Sequence, residues 1–133
     1  MHFYNRSTRD RPGQVKKFLR NDRKIRKQFK FPPDCYILIG RKPVQVSLLH
    51  WGIWFENARN RIVKKTALPG GVEVSTVFLG LNHGYGGRLL LFETMIFAGD
   101  AGGYCDRYAT YDEALAGHQK AIEEAFKVDF DNT

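Results

Sequence analysis

Apolar and polar positions along this chain change period several times, and each change marks an element. From Pro12 the spacing is helical. Val15, Phe18, Leu19, Asp22, Ile25, Arg26 and Phe29 fall on one side, and Lys16, Lys17, Arg20, Arg23, Lys24, Lys27 and Lys30 fill the other. Proline suits a first helical turn, and Asp10 stands where a cap belongs. The apolar stripe is thin, with two breaks. Phe31–Pro33 ends the helix, because proline offers no N–H and pushes its predecessor out of the helical region.

Alternation then takes over. Tyr36–Ile39 and Val44–Val46 read as a hairpin turning through Gly40–Lys42. Ser47 is a good N-cap for a second helix, "LLHWGIWFENARNR". There Leu48, Trp51, Phe55, Ala58 and Ile62 keep helical spacing, with Trp54 beside them and Glu56 and Arg59 on the wetter side. "RIVKKTALPGGVEVSTVFLGLN" reads as strand, turn, strand, with proline fixing one dihedral and glycine supplying positive φ. Val72–Asn82 and Leu89–Ala98 form a further hairpin joined by "HGYGGR". In its second arm Leu89, Leu91, Glu93, Met95 and Phe97 share one face, and Leu90, Phe92, Thr94 and Ile96 the other. Apolar residues on both faces predict a central strand covered on both sides. After the loop "GDAGGYCD" comes a short strand, then a helix opened by Thr110 and Glu113 as a capping box. Its inner stripe is Ala114, Leu115, His118, Ala121, Ile122, Ala125 and Phe126.

The order is helix, two strands, helix, three or four strands, helix. The expected fold is α+β: a single domain with a mostly antiparallel sheet of about 4–6 strands, packed by two helices and carrying a basic N-terminal helical arm. A chain of 133 residues with 43% hydrophobic content can bury one core. Cys35 and Cys105 are too few for a disulfide scaffold and are expected as reduced, mostly buried thiols of a cytosolic protein. No apolar run reaches the roughly 18 residues that a membrane span needs. Basic residues occupy the place of a signal peptide's apolar segment.

Charge divides the chain. Residues 1–42 hold 13 Lys and Arg against Asp10, Asp22 and Asp34, a net of +10, whereas residues 43–133 hold 8 against 11 acids, a net of −3. The chain therefore reads as a basic, partly helical arm (1–33) joined to an α+β domain (34–133). Such asymmetry points to an anionic partner. Lys16, Lys17, Arg20, Arg23, Lys24, Arg26, Lys27 and Lys30 are the candidate phosphate contacts, giving steep salt dependence and little sequence preference. Competing readings of the same segment are a solvated charged helix, a helix lying on an anionic membrane surface, and a helix docking into an acidic protein groove.

Candidate chemistry elsewhere is sparse. No P-loop, GxSxG or HExxH occurs, and "GYGG" at Gly84–Gly87 leads into a strand rather than a helix, so it reads as a hairpin turn. Glu93 is the lone acid in an otherwise uncharged strand, and a buried carboxylate needs a partner; Arg59, Arg61, Arg88 or Arg107 could supply it. His83 lies at a strand end and His118 on an inner helix stripe. Together His83, Glu93 and His118 could hold a divalent metal or act as acid–base groups. Against this, each histidine is satisfied separately and Glu93 sits in a salt bridge, the reading favoured by spacings of 10 and 25 residues that match no metal signature. No cofactor is expected. Tyr85, Tyr104, Tyr108 and Tyr111, near turns and strand ends, are candidate base-stacking groups.

Four segments carry a resemblance: "WGIWFENARNRIVKKT", "VSTVFLGLNHGYGG", "LLFETMIFAG" and "RYATYDEALAGHQKAIEEA". They resemble a family of small proteins of tailed phages and prophages with a WFE helix, a VSTVFLGLxH strand, an LLFETM strand and an RYxTxxEAxxGH helix start. The matching positions are Trp54–Glu56, Val74–His83, Leu90–Met95 and Arg107–His118, within about residues 36–127. Members often carry proline just before the LLFETM strand, where this chain has Arg88 and Leu89. The resemblance implies a phage-type protein of the host cytoplasm and no particular reaction, and residues 1–33 lie outside it.

The expected role is a small accessory protein that binds nucleic acid, or a nucleic-acid-containing host complex, through its basic arm, interfering with a host or defence system. Two alternatives accompany it. One is a metal-assisted hydrolase or nucleotide-sequestering protein using His83, Glu93 and His118. The other is a virion or assembly protein.

Overall fold

The structure is a computed structural model, which describes residues 12–28, 34–82, 87–98 and 103–131. It is α+β, with antiparallel strands throughout, as the alternation predicted. The described strands form two sheets, of two and four strands. The chain divides into two compact units, residues 1–61 with 80–82, and residues 62–79 with 83–133. The boundary thus runs between Arg61 and Ile62, and the basic helix belongs to the first unit rather than standing apart from it.

The first unit opens with helix α1 (Pro12–Gln28) and the hairpin β1 (Cys35–Ile39) and β2 (Lys42–Val46). Ile39 pairs with Lys42 across a tight turn in which Gly40 takes φ +62°, a conformation glycine adopts without a Cβ penalty. β1 has a second neighbour: Tyr36 N–H donates to Gly80 O at 2.7 Å, and Cys35 bridges Leu81 antiparallel. Gly80 is held at φ +72° with its missing Cβ aimed at Trp51 and the Tyr36 carbonyl, so only glycine fits there.

Helix α2 (Leu48–Glu56) starts at Ser47, whose Oγ accepts from His50 N–H at 3.2 Å, as the sequence predicted. The predicted single helix is interrupted: Asn57 is extended at ψ 107°, and a short α3 (Ala58–Arg61) follows. The break is satisfied locally, since Asn57 Oδ1 accepts from Arg59 N–H and Asn60 Nδ2 donates to the Trp54 carbonyl. Phe18, Ile37, Leu38, Val46 and Trp54 are buried in this unit.

The second unit is the sheet β3 (Ile62–Leu68), β4 (Val72–Phe78), β5 (Phe92–Phe97) and β6 (Cys105–Tyr108), in that order, with helix α4 (Tyr111–Asp131) packed across all four strands. A 3-10 turn at Pro69–Gly71 joins β3 to β4, with Gly70 and Gly71 both at positive φ. α4 lies close because its inner face is small: Ala114, Gly117, His118, Ala121 and Ala125 are all buried. Val74, Ala121 and Ala125 centre one cluster, and Phe78, Phe92 and Tyr111 meet edge to face beside it. The capping box forms, with Thr110 Oγ1 accepting from Glu113 N–H at 3.1 Å, although Glu113 reaches back to Ala109 N–H rather than to Thr110.

β5 is central, and its second face is covered at Leu91 but open toward Phe97. Its Phe92 and Thr94 are buried under α4, while Met95 and Phe97 on the other face are 36% and 50% exposed. Both thiols are free. Cys35 is buried as expected, but Cys105 is exposed because β6 is the edge of its sheet.

Candidate nucleic-acid interface

α1 carries seven basic residues against one acid, Asp22. Like charges on one helix repel, so their placement decides whether the helix is stable and what it presents. Phe18 is 3% exposed and its ring lies 4.7 Å from that of His50. Asp22 on the same side is fully buried. Its Oδ1 accepts from Ser47 N–H at 2.9 Å and from His50 Nδ1 at 2.5 Å, which places the ring proton on Nδ1. Arg26 Nε lies 2.9 Å from Oδ2, a close charge contact not aligned as a hydrogen bond. The two breaks in the apolar stripe are thus the anchor of the helix. Asp22 ties α1 to the start of α2, and Arg26 offsets its charge.

Lys16, Lys17, Arg20, Arg23, Lys24 and Lys27 are all exposed. At 3.6 residues per turn they cover roughly 120° of the helix, centred opposite Phe18 and Asp22. Arg26, expected among the phosphate contacts, is instead turned to Asp22 with its side chain 31% exposed. Lys30 lies outside the described residues.

Of the histidine–carboxylate trio, the described members Glu93 and His118 are not brought together. His83 lies outside the described residues. Glu93 accepts from Arg107 Nε at 3.0 Å, one of the four candidate partners that the sequence offered. His118, on the sheet-facing side of α4, is 1% exposed, with Thr66 Oγ1 at 2.8 Å from Nε2 and Thr76 Oγ1 at 2.7 Å from Nδ1. The hydroxyls can rotate to suit either tautomer, and the chain continues from Thr76 to Thr94 at 2.6 Å. Burial, with Lys64 adding to it, holds the imidazole below its ordinary pKa. Thr94 and Glu93 are adjacent on β5 and therefore point to opposite faces, so Glu93 and His118 do not face a common substrate. Among the described residues no three His, Cys, Asp or Glu side chains converge as a metal ion requires.

Three of the four stacking candidates are engaged within the fold. Tyr108 packs on Gly117, Tyr111 on Phe92, and Tyr104 on the Val74 cluster. Tyr85 lies outside the described residues.

The group that sequence reasoning missed is His50. It sits between Leu49 and Trp51 in an apolar helix, and its only signal was Asp22 on the apolar side of α1, a buried acid in search of a donor. No helix among the described residues is long and apolar enough to cross a membrane. No protein-family model, curated protein or solved structure matches the chain.

Proposed function

We propose that this protein binds nucleic acid through the outward face of α1. The observation that carries the reading is one helix with two opposed faces: Asp22 and Phe18 buried, and Lys16, Lys17, Arg20, Arg23, Lys24 and Lys27 exposed. Cations in such an array release condensed counterions when they meet phosphates, and that release drives binding. On the apolar side of α1 Phe18 is buried and Val15, Leu19 and Ile25 are half-buried, which leaves little of the face that a membrane-surface helix would insert. The resemblance of four segments to phage and prophage proteins supports a place in the host cytoplasm, with DNA, RNA or a complex containing them as the partner.

The test is fluorescence anisotropy of labelled nucleic acid with the full-length protein across a salt series. The comparison is the Arg20→Glu/Arg23→Glu/Lys27→Glu variant, whose changes all lie on the exposed face. Binding that weakens steeply with salt and is abolished by the reversal supports the reading. Binding unchanged by the reversal, or none at low salt, overturns it.

A further inference from the structure

We infer that the partner of α1 is a duplex, taken along its phosphate backbone without regard to sequence. This rests on the phosphate-binding reading above and adds the class of nucleic acid. The first argument is shape. Lys16, Arg20, Arg23 and Lys27 follow one another at intervals of four, three and four residues, with Lys17 and Lys24 alongside. At about 1.5 Å per residue the stripe is roughly 16 Å long and straight. A duplex presents about one charge per 1.7 Å of its axis, so a rigid duplex lays some ten phosphates along that length without rearrangement. A flexible single strand must first be straightened to meet the same array.

The second argument is what the stripe lacks. Proteins that hold single strands supply aromatic side chains on which bases stack. Phe18 is the one aromatic residue within α1, and it is buried against His50. The residues that share the stripe with the six cations reduce to Gly13, which has no side chain to reach a base edge. Sequence is read through hydrogen bonds to base edges; of the exposed amides of α1, Gln14 lies off the stripe and Gln28 only at its margin, so within the stripe such contacts fall to the cations themselves.

The third argument is preorganisation. Asp22 binds Ser47 N–H and His50 Nδ1 at buried positions, so the orientation of α1 within its unit is fixed before any ligand arrives. A fixed array loses little freedom on meeting a fixed lattice of phosphates.

The experiment is competition anisotropy with the full-length protein, using a short labelled duplex, either of its separated strands, and a second duplex of unrelated sequence. The inference expects the duplex to bind tighter than either strand by about tenfold or more, roughly the weight of one base stack. It expects the two duplexes to agree within about twofold, and duplex affinity to fall about a thousandfold between roughly 50 and 200 mM salt, as about six phosphate contacts require. Single-strand binding equal to or tighter than duplex binding overturns the inference while leaving phosphate binding by α1 intact. A strong preference between the two duplexes overturns its sequence-independence. Loss of all binding, or binding that survives Arg20→Glu/Arg23→Glu/Lys27→Glu, overturns the proposed function itself.

Discussion

His50 Nδ1 lies 2.5 Å from Asp22 Oδ1, with both side chains withdrawn from solvent. The pair joins the middle of α1 to the first turn of α2, and Ser47 N–H shares the same carboxylate oxygen. Removing one partner leaves buried polar groups unmatched, which is far more damaging than the net worth of the pair. Asp22→Ala is expected to cost about 3–5 kcal/mol. A double-mutant cycle with His50→Ala, read from denaturant midpoints, should give a coupling of about 1 kcal/mol or more. A coupling near zero would mean that the two residues stabilise the unit independently.

The buried imidazole of His118 gives the second unit a dependence on pH. Its folded pKa is held below the ordinary value of 6.5, by burial first and Lys64 second. The unfolded chain therefore takes up a proton that the folded chain resists. Stability from this residue is fully present above about pH 6.5 and is lost as the pH falls below it, by at most about 1.4 kcal/mol per pH unit. Stability measured from pH 7.5 downward should fall more steeply for the native chain than for His118→Gln. Parallel curves would show that His118 is not the group responsible.

Two helical glycines should respond to alanine with opposite signs. A Cβ on Gly117 would stand 2.1 Å from the ring of Tyr108, whereas one on Gly52 would meet nothing within 4 Å. Gly52→Ala is expected to stabilise by about 0.5–1 kcal/mol through helix propensity. Gly117→Ala is expected to destabilise by about 1–3 kcal/mol through overpacking. Thermal melts of the two variants decide the matter, and a Gly117→Ala variant as stable as the native chain or more so would remove the role assigned to Tyr108.

Cys105 is exposed yet should be a sluggish nucleophile. Partial desolvation raises its pKa, the neighbouring Glu93 carboxylate raises it further, and Arg107 only partly opposes them. The thiolate is the reactive form, so alkylation should reach its half-maximal rate at a higher pH than an ordinary cysteine shows. Glu93→Gln removes a negative charge and should shift that midpoint down. An unchanged profile would show that Glu93 does not influence the thiol.

Local features were legible in the sequence, and features that depend on a distant partner were not. Ser47 and Thr110 each act within their own first turn, so their capping roles follow from the residues beside them. Glu93 pairs with Arg107, one of the four arginines that its need for a partner brought into question. Asp22 is different. Its partners lie 25 and 28 residues further on, so periodicity alone marks it as a break in a stripe rather than as an anchor. The same applies to His118, whose threonines come from β3 and β4 and are 52 and 42 residues away. The face of β5 carrying Met95 and Phe97 read as covered because apolar alternation says what a face prefers, not whether another layer reaches it.

The backbone bond from Tyr36 to Gly80 has a bearing on synthesis. The first unit takes in residues 80–82 as well as 1–61. As the chain leaves the ribosome, β1 has its partner β2 at once but must wait for Leu81 on its other side. In the interval the nascent chain displays a bare strand edge, the kind of surface that recruits chaperones or invites pairing with a neighbouring chain. Slow codons placed between residues 61 and 80 would lengthen that exposure, and fast ones would shorten it.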